Sequence, residues 1–232
     1  MPDEFDVYAS KYAETVAESV GAVGGSVEHF AQRKVHVLQD VLTCNPERIL
    51  DFGCGIGILS NALADGYASA SVVGIDTSVE SINHARTRHS QGSHHRLEFL
   101  ANSGAKLPLP DHSVELAVAA CVFHHIGPPE RNAWFAELHR VVAPGGYCVI
   151  FEHNPRNPLT RRAVWRCPFD ADAVLLPAKE SRDRLRVAGF VDTGIVNYLF
   201  LPPALYRFRA LERWLHWLSI GGQYMVFGRA AR

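Results

Sequence analysis

The chain reads as an α/β protein whose parallel sheet is covered by helices on both faces, with an antiparallel edge near the C-terminus. Three observations predict this. Short apolar runs alternate with stretches of helical periodicity through the first two thirds of the sequence. The first apolar run, "ILDFGCGIGILS" at 49–60, passes through a turn carrying Gly53, Gly55 and Gly57 before a helix begins. The last third ends as strand, connection, strand. With 232 residues the chain has length for one sizeable core and too little for two independent domains, so a single domain over 1–232 is expected.

Each element has a local cause. "SVEHFAQRKVHVLQDVLT" (26–43) spaces Val27, Phe30, Val35, Leu38 and Leu42 for one helix face, with Ser26 as N-cap. "RILDFG" is a short apolar run ending in turn residues, hence a strand, and "ILSNALADG" a helix closed at Gly66. "ASVVGID" is the second strand, and "SVESINHARTRHS" a helix capped by Ser78. "RLEFLA" and "VELAVAACVF" are the third and fourth strands. "PERNAWFAELHRVV" is a helix with Pro129 near its first turn. "GGYCVIFEH" is the fifth strand, after the turn Pro144-Gly145-Gly146. "KESRDRLRVAGF" is a helix stopped by Gly189, and "VDTGIVNYLF" the sixth strand. "PPALYRFRALERWLHWLS" is expected to be an amphipathic helical insert, and "GGQYMVFGRA" the closing strand.

Composition excludes several function classes. A net charge of −1 provides no global field to recruit nucleic acid or a membrane surface. The N-terminus is acidic and lacks the apolar centre of a signal peptide, and no apolar run approaches the ~18 residues of a membrane span. Cys44, Cys54, Cys121, Cys148 and Cys167 form no CxxC pair, and several sit in apolar runs, as reduced thiols of a cytoplasmic protein do. The 12 histidines include no recognised zinc spacing, so no metal site is expected.

The glycine turn lies where an α/β sheet keeps its ligand crevice, and the next strand ends in Asp76, a carboxylate able to accept both hydroxyls of a ribose. These two features alone suit any nucleoside. A dinucleotide fingerprint read from Gly53 needs a glycine where Ile58 stands, and read from Gly55 it meets Ser60. None of the seven tyrosines has a lysine four positions on, as a short-chain dehydrogenase would require. A nucleotide-binding oxidoreductase is thereby disfavoured, though not removed.

"ILDFGCGIG" (49–57), "VGID" (73–76), "KLPLPDHSVELAV" (106–118), "FHHI" (123–126), "LHRVVAPGGYCVIFEH" (138–153) and "LRVAGF" (185–190) occur in the order of one family. Over about residues 45–230 the chain resembles the class I S-adenosylmethionine-dependent methyltransferases of the UbiE-like group. The resemblance implies a Rossmann-like seven-stranded sheet in the order 3-2-1-4-5-7-6 with strand 7 antiparallel. It implies a helical lid over 1–44, a cofactor-binding core over 45–153 and an acceptor-side part over 154–232 that includes the insert 203–219. S-adenosylmethionine is the implied cofactor. Its site would draw on Asp51, Gly53, Cys54 and Gly55 of the first motif, then Asp76 and Thr77, and Cys121 after strand 4. Where relatives place an acid for the adenine amino group, this chain has Ser103 between Asn102 and Gly104, so binding with weaker base selectivity is expected.

Methyl transfer is an in-line displacement helped mainly by positioning, and an oxygen or nitrogen acceptor also has to lose a proton. His124 and His125 follow strand 4, while Glu152 and His153 end strand 5, so both pairs should face the crevice. His124 is the candidate base, His125 a support of the loop, and Glu152 either an orienting group or a cap on a backbone amide. Arg156, Arg161, Arg162 and Arg166, with Asp170 the one acid nearby, form either a landing site for an anionic acceptor or a solvated helix face. Leu205, Phe208, Leu211, Trp214, Leu215, Trp217 and Leu218 would cap an acceptor pocket or pack as core, and Tyr8 and Tyr12 could belong to a lid. The expected partner is a small-molecule acceptor, anionic or partly apolar, methylated on oxygen. A cofactor-binding scaffold without chemistry is the rival if the insert blocks the pocket.

Overall fold

The computed structural model describes residues 26–90, 96–201 and 209–232. Tyr8, Tyr12, Leu205 and Phe208 lie outside them. Seven strands form one sheet in the order β3-β2-β1-β4-β5-β7-β6. They are β1 (Arg48–Phe52), β2 (Ser71–Asp76), β3 (Leu97–Ala101), β4 (Val114–Ala120), β5 (Val142–His153), β6 (Phe190–Tyr198) and β7 (Gln223–Ala230). β7 runs antiparallel to both β5 and β6, and the remaining pairs are parallel.

Alternation along the strands divides the core between the two faces. Leu50, Ala117, Ile150 and Val226 point to one face, where Phe135 and Leu138 of α4 (Arg131–Val141) and Leu185 of α6 (Ala178–Val187) cover them. Ile49, Val118, Val149 and Met225 point to the other, under Leu38 of α1 (Val27–Val41) and Leu63 of α2 (Ile58–Gly66). Each side chain of this size contributes roughly 1.5–3 kcal/mol when fully buried. The helix α3 (Val79–Ser90) follows β2, and α5 (Pro158–Arg166) follows β5.

The caps read from the sequence are in place. The Ser26 hydroxyl accepts the His29 amide at 3.1 Å, and the Ser78 hydroxyl accepts the Ser81 amide at 3.0 Å. Two elements differ from expectation. β5 begins at Val142, ahead of the Pro144-Gly145-Gly146 turn, because Val142 already pairs with Val114 and a register shift absorbs the turn. The expected long helix of the insert is, among its described residues, a short α7 (Arg209–Glu212) followed by a 3-10 turn over Arg213–Leu215. Its buried anchor is an acid and not an apolar stripe: Glu212 is 2% exposed, whereas Leu211, Trp214 and Trp217 are 59%, 71% and 77% exposed. Glu212 accepts the amides of Phe200 and Leu201 at 2.9 and 2.8 Å and pairs with Arg33 of α1. That ion pair ties the insert to α1, beside the carboxyl ends of the central strands.

Candidate active site

A cavity of about 840 Å³ opens at those carboxyl ends, between α1, the β1–α2 turn, the ends of β4 and β5, and the insert. The turn shapes its floor. Gly53 and Gly55 have φ of +73° and +51°, which side chains rarely adopt. At Gly53 a Cβ would stand 2.4 Å from a Val122 methyl, while at Gly55 it would meet no atom within 4 Å. At Gly55, therefore, bare main chain faces open cavity.

Asp76 holds this turn as well as lining the cavity: one carboxylate oxygen accepts the Gly55 amide at 2.7 Å, the other the Ser78 amide at 2.9 Å. Asp51 is buried and accepts the Ser60 hydroxyl at 2.6 Å. Burial, aided by the charge of Asp76 and opposed by Ser60, pushes its carboxyl up to about 7. Cys54, Thr77, Asn102 and Cys121 also line the cavity. Ser103 and Gly104 are exposed and are not among its lining residues; the Asn102 amide instead ties that loop by donating to the Lys106 carbonyl at 3.0 Å.

The strand 4 and strand 5 pairs meet as the sequence implies. Glu152 is fully buried; one oxygen accepts the Phe123 amide at 2.8 Å and the other contacts His124 Nδ1 at 2.6 Å. Orienting carboxylate and backbone cap are thus the same residue. His124 Nε2 lies 3.3 Å from Asp170, whose carboxylate is also 3.5 Å from His125 Nε2. Burial works against protonation of His124, but the Glu152 charge and the bonds to Asp170 and Glu152 outweigh it and hold the imidazole well above its ordinary range. Burial and the neighbouring His124 charge push His125 and His153 down to about 4. Glu152 and Asp170 both stay below the usual carboxylate range, burial being overcome chiefly by the histidines. The ligating atoms of His124, His125 and Asp170 fall within 4.8 Å of one another, a set able to hold a cation. The two-carboxylate clamp already engages both nitrogens of His124 without one.

Asp170 was visible in the sequence only as a counter-charge in an arginine-rich stretch. It reaches His124 because its loop is fastened from behind. The Val174 amide donates to the His124 carbonyl at 2.9 Å, and the buried Arg131 donates to the carbonyls of Ile126 and Val174 at 2.9 and 2.6 Å. Arg156, Arg161, Arg162 and Arg166 are exposed and absent from the cavity wall, which fits the solvated-face reading. That wall is built instead from Leu159, Ala163, Val164, Phe169 and Leu199 to Leu201. Trp214 and Trp217 do not line it.

Comparison with known proteins agrees with this geometry. A methyltransferase-domain family model matches residues 49–146. A demethylmenaquinone methyltransferase of Thermus thermophilus is 28% identical over 191 residues, 80% of each chain. A fatty-acid O-methyltransferase of Mycolicibacterium smegmatis is 33% identical over 125 residues, covering 53% of this chain and 44% of that one. Among solved structures, a Thermotoga maritima methyltransferase described as a possible histamine N-methyltransferase superposes with a TM-score of 0.68 at 20% identity, covering 97% of each chain. With its motifs in family order and its seven strands in the expected sequence, the chain is a class I S-adenosylmethionine-dependent methyltransferase of the UbiE-like group.

Proposed function

We propose that the enzyme methylates an oxygen of a small acceptor with an apolar body, seated over the ends of β4 and β5. The observation that carries this reading is the buried Glu152–His124 pair, aimed at a cavity whose far wall is apolar. S-adenosylmethionine, when bound, supplies an electrophilic methyl group. Gly53 to Gly55 and Asp51 would hold its methionine end, Asp76 its ribose and Asn102 the base side.

His124 then serves the acceptor. Glu152 fixes the ring through Nδ1, so Nε2 is the nitrogen presented toward Asp170 and the cavity. In the neutral ring the Nδ1–H stays with Glu152. An acceptor hydroxyl that takes the place of Asp170 at Nε2 gives its proton there as its oxygen takes the methyl group, and Glu152 and Asp170 stabilise the imidazolium that forms. Val164 and Phe169, both buried, exclude water around the apolar body. Relatives named for a fatty acid and for a menaquinone precursor support an apolar acceptor. Among the described residues of the insert, Glu212 alone lines the cavity, which speaks against a scaffold whose pocket those residues fill. None of the five cysteines is in a disulfide, which supports a reducing, cytoplasmic setting. The test is transfer of labelled methyl from S-adenosylmethionine to a panel of apolar hydroxyl and carboxyl compounds. Label in an ether or ester supports the reading; label on carbon or nitrogen refutes it.

A further inference from the structure

Two adjacent cations of α1 line the cavity, and they are treated differently. Arg33 is buried against Glu212, a counter-charge built into the fold. Lys34 is only 8% exposed, yet no described carboxylate or carbonyl takes its ammonium in an ion pair or hydrogen bond. A cation this buried is costly unless a counter-charge meets it, and the open side of Lys34 is the cavity. Its charge is felt by Asp51, Cys121 and His153, at the carboxyl ends of the three central strands.

This position defines the ligand chemistry. Lys34 and Asp51 present opposite charges to the space over the glycine turn, the arrangement that complements an α-amino acid zwitterion. We propose that Lys34 is the receptor for the α-carboxylate of the cofactor's methionine end, with Asp51 answering its α-ammonium. The inference rests on the cofactor assignment and adds a residue from α1, outside the glycine motif. It also gives α1 a binding role besides its packing on the sheet.

The experiment uses Lys34→Met, which keeps the apolar stem of the side chain and removes the charged ammonium. Calorimetry would compare S-adenosylhomocysteine with its decarboxylated form, which retains the ammonium. Wild type should bind the carboxylated ligand more tightly. In Lys34→Met that affinity should fall about 10- to 100-fold, the range for a hydrogen bond to a charged group, while the decarboxylated ligand loses little. Equal losses for both ligands would mark Lys34 as structural and overturn the proposal, as would no loss for either. A loss confined to the acceptor KM would assign the lysine to the acceptor instead and also overturn it. Failure of wild type to bind either nucleoside would contradict the cofactor assignment itself, a distinct result.

Discussion

Glu152 grips His124 from two sides: one carboxylate oxygen meets Nδ1 at 2.6 Å, while the other accepts the backbone amide of Phe123, immediately before the histidine, at 2.8 Å. The carboxylate at the end of β5 therefore sets both the path of the chain after β4 and the tautomer of its histidine. A fully buried acid is tolerable here because an amide and an imidazole satisfy it together.

Removing that charge should be expensive. Glu152→Gln keeps the shape but breaks a buried charged pair, for which a loss of about 3–5 kcal/mol is typical. Urea unfolding should show a lower midpoint with an unchanged slope. An unchanged midpoint would mean the pair is stabilised elsewhere.

The pH dependence has a definite sign. A base must be neutral to act, and His124 is held above its ordinary value of 6.5, so the rising limb of kcat/KM should lie above that pH. Asp170→Asn removes one of the two carboxylates and should move the limb to lower pH. The same raised value stabilises the fold fully below the unfolded pKa, and that contribution is lost as pH climbs through the folded pKa. A limb indifferent to Asp170→Asn would disconnect His124 from the pH profile.

Asp76→Ala should weaken S-adenosylhomocysteine binding by about 1.5–3 kcal/mol, as expected for hydrogen bonds to a charged group. Because Asp76 also accepts the Gly55 amide, the substitution should speed hydrogen exchange at Gly55. An unchanged dissociation constant would place the ribose elsewhere.

The insert offers a separate test. Glu212→Gln breaks the pair with Arg33 and weakens the acceptor of the Phe200 and Leu201 amides. Exchange at those two amides should accelerate well before global unfolding, since the insert is fastened there. Protection equal to wild type would show that the segment is held by other contacts.

Most of the fold was legible because alternation and capping are local. The run at 71–76 is apolar through its interior, as is that at 48–52 apart from Asp51, and Ser26 and Ser78 announced their helices. The order of strands came through the resemblance, since periodicity does not encode which strand lies beside which. At the site, Asp76 and Glu152 were readable because they lie at the ends of strands at the crevice, and His124 because it follows strand 4 there. Asp170 was not, because its approach depends on Arg131 fastening a loop 43 residues further along at Val174. Lys34 was hidden for a different reason: helical spacing marks apolar positions as buried and treats a lysine as solvent-facing. The insert misled similarly, since its tryptophans suggested lining while Glu212 supplies the anchor.

The role of His124 is tested most directly with His124→Asn, whose amide can replace Nδ1 as a donor to Glu152 and so avoids abandoning a buried carboxylate, as alanine would. Turnover with an acceptor from the labelled-methyl panel and affinity for S-adenosylhomocysteine should be measured on this one variant. The account predicts that turnover falls by roughly 10²–10⁴ while the affinity stays at the wild-type value. Full turnover in His124→Asn would contradict it.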